Sequence, residues 1–461
     1  MPKPTFKQVA PFLVLAAIAL AAIFVKPVTD FADATKYSPA DIAWIIVATA
    51  LVFLMTPGLA FFYGGMVHRK NVISTMMKSV VAAGVVSVLW IFVGYSLCFG
   101  EDLGGFIGNP MTHLFFKDVN SGEPWVGAPT IPKTLFSLFQ LMFAIITPGL
   151  VVGAVAERIR FTSYILFIAM FSLLVYAPLA HWSWHPDGFL FKMGALDFAG
   201  GTVVHISAGC AALAGALVLK RRKTHIEHKE IPPANIPYVL IGTGLLWFGW
   251  FGFNAGSALG ANALSVSAFA TTNTAAAAAG LGWMFFDVIR GKKPSVVGFC
   301  IGAVVGLVAI TPAAGFVAIP QSISIGLIAA IISNIAVYYK QKSTLDDTLD
   351  VFPCHGVGGM VGMLLTGIFA TKAVNSAGAD GLFYGNPGFF FTQLKAMVIS
   401  ASYSFAVSFA IFKFINFILP LRVSAEEEEI GLDASQHNEN YVQGTLLVHH
   451  NGKLEKEEKA I

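Results

Sequence analysis

The sequence predicts an all-α polytopic membrane protein with eleven transmembrane helices. Of its 461 residues, 56% are hydrophobic and 12% are charged, whereas soluble domains carry about 25% charged residues. Apolar stretches of about 17 to 25 residues, long enough to cross a hydrocarbon core of roughly 30 Å, recur from Ile42 to Leu419. Because an unpaired backbone amide in lipid costs several kcal/mol, we expect these stretches to be helices.

The apolar stretches divide the chain into three parts. We expect an N-terminal segment at 1–34, a transmembrane domain at 41–419 and a C-terminal tail at 420–461. The eleven predicted spans lie near residues 42–66, 79–99, 134–156, 161–181, 198–219, 235–257, 265–288, 295–311, 321–339, 355–371 and 391–418.

The N-terminal segment has the features of a secretory signal peptide. Its apolar run, Gln8–Val25, follows Lys3 and Lys7, and a stretch with two alanines at 32–34 resembles a cleavage site. We therefore expect a cleaved signal peptide, and the alternative is an extra N-terminal helix that is retained.

Basic residues are distributed unequally between alternate loops. One set of loops carries the Lys and Arg residues at 69–78, 158–160, 220–229, 290–293 and 340–342, whereas the other set carries Lys117, Lys133, Lys192 and Lys372. Cytoplasmic loops are enriched in basic residues, so the mature N-terminus is expected outside and the C-terminal tail in the cytoplasm. The expected location is the plasma (inner) membrane.

Two pairs of similar motifs lie five spans apart. The third span contains Ile146-Thr147-Pro148-Gly149 and the eighth contains Ile310-Thr311-Pro312-Ala313, while the fifth and tenth each carry one histidine among glycines after an aspartate. Because five is odd, the second copy enters the membrane from the opposite side. The sequence therefore predicts a five-plus-five inverted repeat and a final helix, with a site at the interface between the repeats.

His205 and His355 are the ionisable residues that these repeated motifs share. An ionisable side chain within a span is costly in lipid and usually faces a cavity or a pathway, although a single histidine is often a hydrogen-bonded packing residue. Equivalent positions in two repeats favour a shared pathway. A helix over Gly356–Ala370 would rise about 22 Å, less than the hydrocarbon core, so we expect the chain around Pro353 to enter the membrane unwound.

Several aromatic residues lie at related depths once the orientation is used. Phe139 is placed near the outer mouth and Phe143 one turn deeper, while Ser257 is shallow, Phe253 lies one turn below it and Trp184 follows the fourth span outside. Each aromatic taken alone is more often a lipid-facing, core or interface residue. The topology does not decide whether these side chains face one another.

These segments resemble the signature segments of the ammonium transporter (Amt/Mep/Rh) family, in its bacterial Amt branch. The similar stretches occur in family order at residues 139–143, 152–161, 197–205, 252–257 and 350–357. The resemblance extends over nearly the whole chain from Asp41 to Asn440. Pro353-Cys354 and His185-Pro186-Asp187 depart from the residues expected in most bacterial members.

The resemblance implies a role for each of eight residues. Phe139, Trp184 and Ser257 form an outer ammonium-binding site, Phe143 and Phe253 a stacked gate, His205 and His355 the pore pair, and Asp197 a support that also caps its helix. A desolvated cation on aromatic faces gains up to about 2 kcal/mol, whereas an ion in an apolar tube loses several kcal/mol of hydration. We expect ammonium to be deprotonated and ammonia to be conducted, with or without its proton.

The resemblance also implies partners. The tail at 421–437 is similar to the family's regulatory segment, which implies a homotrimer and docking of a PII signalling protein at the cytoplasmic face. The bilayer and ammonium or ammonia complete the expected partners. Net charge is +3 and basic residues are scattered, so no nucleic acid is expected.

Three other functions were weighed against transport. A Rhesus-type gas channel for ammonia or CO2 has no use for a cation site at Trp184, and a sensor signalling through its C-terminal tail needs partner binding more than flux. An enzyme is not expected, because the histidines have no nucleophile, carboxylate pair or metal cluster beside them. The four cysteines are isolated within apolar runs, and no metal or cofactor is expected.

Overall fold

The fold is built from long helices. The computed structural model describes residues 6–25, 36–120, 123–229, 231–441, 445–450 and 453–458. After an N-terminal helix, Phe6–Ile23, eleven helical segments follow within these residues: α1 Pro39–Met66, α2 Arg69–Phe99, α3 Lys133–Val155, α4 Phe161–Lys192, α5 Gly201–Leu219, α6 Ile236–Gly256, α7 Ala263–Ile289, α8 Val296–Ile310, α9 Ile319–Lys342, α10 Phe352–Phe369 and α11 Pro387–Ile418. A short α12, Ala425–Ile430, lies in the tail.

Strands are few and short in the described part of the chain. β1, Asp102–Leu103, pairs antiparallel with β2, Ile107–Gly108, in the loop between α2 and α3. Near the C-terminus β3, Thr445–His450, pairs antiparallel with β4, Lys453–Glu458.

Most of these helices can cross a membrane. Nine of the eleven segments, counted among the described residues, are at least 18 residues long and sufficiently apolar. The other two are α7, which carries several threonines, and α8, which has 15 residues. The prediction of an all-α membrane protein with eleven spans is confirmed.

Polar side chains fix where several of the helices begin. The Ser38 hydroxyl accepts the Asp41 amide at the start of α1, and Pro39 occupies the first position. Asn262 and Ser265 form reciprocal hydrogen bonds at the start of α7. Such caps satisfy amides that have no partner within the helix.

Small residues let the helices approach closely. A Cβ atom at Gly242 of α6 would lie 2.3 Å from the Phe62 backbone of α1. Where α5 and α10 cross, a Cβ atom at Gly209 would lie 2.2 Å from the Gly356 backbone. Membrane helices associate largely through such close packing, which glycine permits.

Both histidines lie in π-helical turns. The first turn of α5, Gly201–Ile206, contains His205, and the first turn of α10, Phe352–Val357, contains His355. The expected unwinding around Pro353 is therefore wrong, since the irregular chain ends before Val351 and the π-helical turn follows. His355 is buried.

The tail lies against one end of the bundle. Arg422 pairs with Ile159 in an isolated bridge, and the ammonium group of Lys70 donates to the Glu428 and Glu429 carbonyls. The Asp433 carboxylate accepts amides at the start of α2. The basic loops and the tail thus lie at the same end. The possible cleavage site at 32–34 lies outside the described residues, so cleavage stays a prediction.

Candidate functional site

Asp197 organises the start of α5. Its carboxylate accepts the amides of Gly200, Gly201 and Thr202 at 2.6 to 2.8 Å, and it also accepts the Thr202 hydroxyl. Gly200 has φ 118°, a conformation that side chains strongly disfavour. The predicted helix cap is therefore present, and it fixes the turn that carries His205.

Asp347 does the same for α10, although it was not among the residues predicted from the sequence. Its carboxylate accepts the Val351 amide at 3.0 Å and the Phe352 amide at 2.7 Å. Asp347 precedes His355 by eight residues, the same spacing as Asp197 and His205. That equal spacing was the signal in the sequence, whereas the nearer Asp350 pairs with Lys340 at 2.8 Å.

The two histidines face each other in the centre of the bundle. Their ring centroids are 5.5 Å apart with an interplanar angle of 28°, and their Nδ1 atoms are 3.4 Å apart. The contact is a long hydrogen bond, and one Nδ1 atom must donate to the other. Consequently one Nε2 atom carries a proton and the other accepts one, so the pair offers a donor and an acceptor.

The histidines line a narrow cavity. Its volume is about 10 Å³, near the minimum for one water molecule. The other lining residues are Met55, Leu59, Phe62, Ile146, Leu150, Val204, Leu246, Trp250, Phe253 and Val304. The Nε2 atom of His205 is buried and has no hydrogen-bond partner among the described residues. An uncharged molecule the size of water fits this space, and a hydrated ion does not.

Two phenylalanines pack against each other beside the histidines. The rings of Phe143 and Phe253 have centroids 4.2 Å apart at 37°. Phe253 also lies 6.1 Å from the His205 ring. Both phenylalanines are buried.

The predicted outer residues contact this pair of phenylalanines. Phe139 packs on Phe143 with centroids 4.9 Å apart, and Trp184 meets Phe143 edge-on at 5.9 Å. The indole of Trp184 donates to the Asp197 carbonyl at 3.0 Å. The Ser257 hydroxyl donates to the Phe253 carbonyl at 2.8 Å, which leaves its lone pairs free to accept.

The structure thus brings all eight predicted residues into one column. Trp250 belongs to it as well and was not predicted. Its ring stacks on His205 at 5.3 Å and 19°, and its indole donates to the Thr311 hydroxyl at 2.9 Å. Thr311 lies in the Thr-Pro motif that the third and eighth spans share. This repetition was the sequence signal that the position has a structural role.

No metal-binding group of side chains was found in the described part of the chain. There, no three His, Cys, Asp or Glu residues lie close enough together to hold a metal ion. The cysteines are buried and unpaired.

Comparison with known proteins identifies the family. Residues 43–442 match the ammonium transporter family. The chain is 46% identical to an ammonium transporter of Bacillus subtilis over 407 residues, which cover 88% of this chain and 99% of that protein. Among solved structures, it resembles Mep2 of Saccharomyces cerevisiae (33% identity, TM-score 0.82, covering 94% and 100% of the two chains) and a sensor Amt protein (30%, 0.78, covering 86% and 98%). The chain therefore belongs to the ammonium transporter family.

Proposed function

We propose that this ammonium transporter binds NH4+ at an outer aromatic site, removes a proton and conducts ammonia past two histidines. The observation that carries the proposal is the histidine pair in a narrow apolar cavity, with one ring nitrogen unpartnered. A buried nitrogen without a hydrogen-bond partner costs the protein free energy, and a transported molecule that bonds to it removes this cost.

Recruitment is assigned to Phe139, Trp184 and Ser257. The two aromatic faces attract a cation by up to about 2 kcal/mol when it is desolvated, and the serine oxygen accepts an N–H bond. Potassium is similar in size to ammonium and is attracted as well, so selectivity must arise deeper in the protein.

Selectivity is assigned to loss of the proton at Phe143 and Phe253. A charged ion in the cavity would lose several kcal/mol of hydration, whereas neutral ammonia loses far less. Potassium has no proton to release and is therefore excluded. The donor and acceptor Nε2 atoms of the histidine pair replace water around ammonia, and the short path between the rings allows a proton to follow.

The orientation is proposed from the basic loops. Arg222 bonds Glu157 and Asp346, and Lys70 bonds the tail, so loops rich in Lys and Arg gather with the tail at one end. By the positive-inside rule this end is cytoplasmic, and Trp184 lies outside. The proposed location is the plasma (inner) membrane, with a signal peptide or a retained helix at 1–34.

Two partners are also proposed. The family resemblance favours a homotrimer, and the position of the tail beside the inner loops suits docking of a PII signalling protein there. Chemical cross-linking of the purified protein tests the trimer, since a monomer would contradict it.

The central experiment replaces each histidine. In proteoliposomes, His205→Ala or His355→Ala is expected to lower ammonium-evoked current by at least about tenfold, or to admit potassium, because the cavity loses its donor or acceptor. The exposed His228→Ala is the matched control and should transport normally. Unchanged current with unchanged selectivity in either pore variant would reject the relay.

The similarity to a sensor Amt protein favours one alternative. The tail is bound along the inner loops, where a change in the pore can reach it, so the chain is also a candidate sensor. A transport-dead His355→Ala protein that still signals ammonium would support sensing. A Rhesus-type gas channel instead predicts CO2 flux that is insensitive to Trp184→Ala.

A further inference from the structure

The continuous helix of α4 ends at a residue assigned to ammonium recruitment. Its last helical stretch is Ala177–Trp184, and His185 then has an extended backbone with φ −77° and ψ 136°. The last turn of a helix frays unless groups outside the helix hold it, because its final carbonyls have no partner within the helix. The position of the Trp184 ring therefore depends on what contacts the residues just before it.

His181, one turn before Trp184, is bound at both ring nitrogens. Its Nδ1 atom is 2.9 Å from the Cys98 carbonyl oxygen, and its Nε2 atom is 2.8 Å from the Asp102 carboxylate. A carbonyl and an ionised carboxylate only accept hydrogen bonds, so both nitrogens must donate. The ring is therefore the imidazolium cation. It is fully buried and forms a charge-assisted hydrogen bond to Asp102.

The Asp102 carboxylate is the ionised partner. Burial alone would raise its pKa, but the bonds from His181 and from the Gly105 amide hold the pKa below its usual range. Asp102 begins strand β1, and the same carboxylate oxygen that meets His181 accepts the Gly105 amide at 2.7 Å. One carboxylate thus joins the turn of the β1–β2 hairpin to the end of α4.

The same hairpin contacts the chain on both sides of Trp184. The Trp182 indole donates to the Phe106 carbonyl at 2.6 Å, and the two rings have centroids 4.9 Å apart. Beyond the helix end, the Phe189 amide donates to the Gly105 carbonyl at 3.1 Å. The hairpin therefore holds the segment that carries Trp184 before and after that residue.

The next two residues bind the start of α5 instead. The Ser183 hydroxyl lies 3.2 Å from the Thr202 hydroxyl, and the Trp184 indole donates to the Asp197 carbonyl at 3.0 Å. Residues 181 and 182 thus bind the hairpin, whereas residues 183 and 184 bind the turn that carries His205. The last turn of α4 connects the outer hairpin to the column.

We propose that Asp102 and the His181 imidazolium are positioning residues for ammonium recruitment, because their ion pair fixes the last turn of α4 and so sets the orientation of the Trp184 ring. The inference rests on the recruitment role proposed for Trp184. Neither side chain needs to touch ammonium, so their effect falls on the affinity for ammonium and not on the conduction step.

Ammonium-evoked currents in proteoliposomes test the effect on affinity. For Asp102→Asn and for His181→Gln, the ammonium concentration that gives half-maximal current should rise about fivefold, since part of the cation–aromatic attraction is lost. The current at saturating ammonium should change less than about twofold, because a loss of binding alone leaves the conduction step unaltered. Glu101→Gln is the matched control. It removes one charge from the neighbouring exposed residue and should leave both quantities unchanged.

The orientation of the ring is measured separately, on the full chain in detergent. The protein has eight tryptophans, and fluorine NMR after labelling with fluorotryptophan gives each its own resonance. The resonance missing from Trp184→Phe belongs to Trp184. It should shift in Asp102→Asn and in His181→Gln, and it should stay in place in Glu101→Gln. Should His181→Gln not fold, Asp102→Asn decides the question, because asparagine keeps the size of the side chain.

Three outcomes would overturn the inference. They are an unmoved Trp184 resonance in Asp102→Asn, an equal loss of affinity in Glu101→Gln, and a fall in saturating current with unchanged affinity. The second would assign a general effect of outer charge, and the third a purely structural role. Trp184→Ala separates this inference from the proposed function. If that variant keeps the wild-type affinity, the recruitment site is rejected, whereas the resonance still decides whether Asp102 positions the ring.

Discussion

Asp197 and Asp347 each hold one of the two histidine-bearing turns. Both are buried, and both accept backbone amides at the start of a π-helical turn. A carboxylate at this position satisfies amides that have no helical partner and is favoured by the helix dipole. The two residues are therefore equivalent members of the repeat.

Asp347 lies in the loop before α10, and its ionisation is unusual. Burial raises the pKa of its carboxyl to about 6, although the nearby Lys340 opposes this rise. Because the pKa in the folded protein exceeds the ordinary value of 3.8, this group's contribution to stability is fully present below pH 3.8 and is lost as the pH rises through about 6.

Replacing Asp347 with asparagine tests this pH dependence. The free energy of unfolding of the wild type minus that of Asp347→Asn should fall between about pH 4 and pH 7, by up to about 3 kcal/mol. Chemical denaturation in detergent at each pH would measure the difference.

Asp380→Asn is the control for that experiment. The Lys372 amide and the Thr371 hydroxyl hold the pKa of the Asp380 carboxyl below its usual range. The free energy of unfolding of the wild type minus that of Asp380→Asn should therefore rise with pH. A wild-type minus Asp347→Asn difference that does not vary with pH would contradict the assignment.

At the scale of elements, the crossing of α5 and α10 sets the distance between the histidines. Gly209 of α5 lies against the Gly356 backbone, and Gly359 of α10 lies against the His205 side chain. Gly209 follows His205 by four residues, and Gly359 follows His355 by four residues. Each helix therefore presents the equivalent glycine to the other. The 3.4 Å separation of the Nδ1 atoms depends on this close approach.

A methyl group at the crossing is expected to force the helices apart. For Gly209→Ala the new Cβ would lie 2.2 Å from Gly356, so the free energy of unfolding should fall by about 1–3 kcal/mol and ammonium current should fall with it. Thermal unfolding and proteoliposome currents would measure both.

Gly244→Ala on α6 is the matched control for this change. Apart from its own helix turns, no described residue lies within 4 Å of the new methyl group, and the helix favours alanine by up to about 1 kcal/mol. If Gly209→Ala were as stable and active as Gly244→Ala, the crossing would not set the histidine geometry.

At the scale of the whole molecule, a buried ionic network joins three loops at the end of the bundle where the tail lies. Asp346 pairs with Arg222 at 2.8 Å and lies 4.0 Å from Arg158, while Arg222 also pairs with Glu157 at 2.6 Å. Burial alone would raise the pKa of the Asp346 carboxyl, but Arg158 and Arg222 hold it well below its usual range. The stability contributed by the ionised Asp346 carboxylate is fully present at pH values above its ordinary pKa. It is lost as the pH falls through the lower pKa of the folded protein.

Removing the Asp346 carboxylate should strongly destabilise the protein. Asp346→Asn leaves the fully buried Arg158 side chain without its counterion, and removal of one partner from a buried pair costs about 3–5 kcal/mol. Denaturant unfolding would measure the loss. Asp187→Asn breaks the exposed pair with Lys192 and should cost far less, so equal losses in the two variants would contradict the role of the network.

The sequence by itself determined the fold class, the eleven spans and the candidate residues of the column. Lipid requires about twenty apolar residues for each helix, so the spans can be read locally. His205 and His355 stand out because ionisable residues are rare in such stretches. The positions of Phe139, Phe143 and Phe253 followed from helical spacing, while their pairing remained open.

Only the tertiary structure decided which side chains meet. The contact between His205 and His355 joins residues 150 positions apart, and it depends on two helices crossing at glycines, which no local pattern encodes. The choice of Asp347 over Asp350 as the cap and the π-helical start of α10 likewise depend on where the chain turns. Hydropathy fixes how deep a residue lies, whereas the packing of helix faces fixes what it touches.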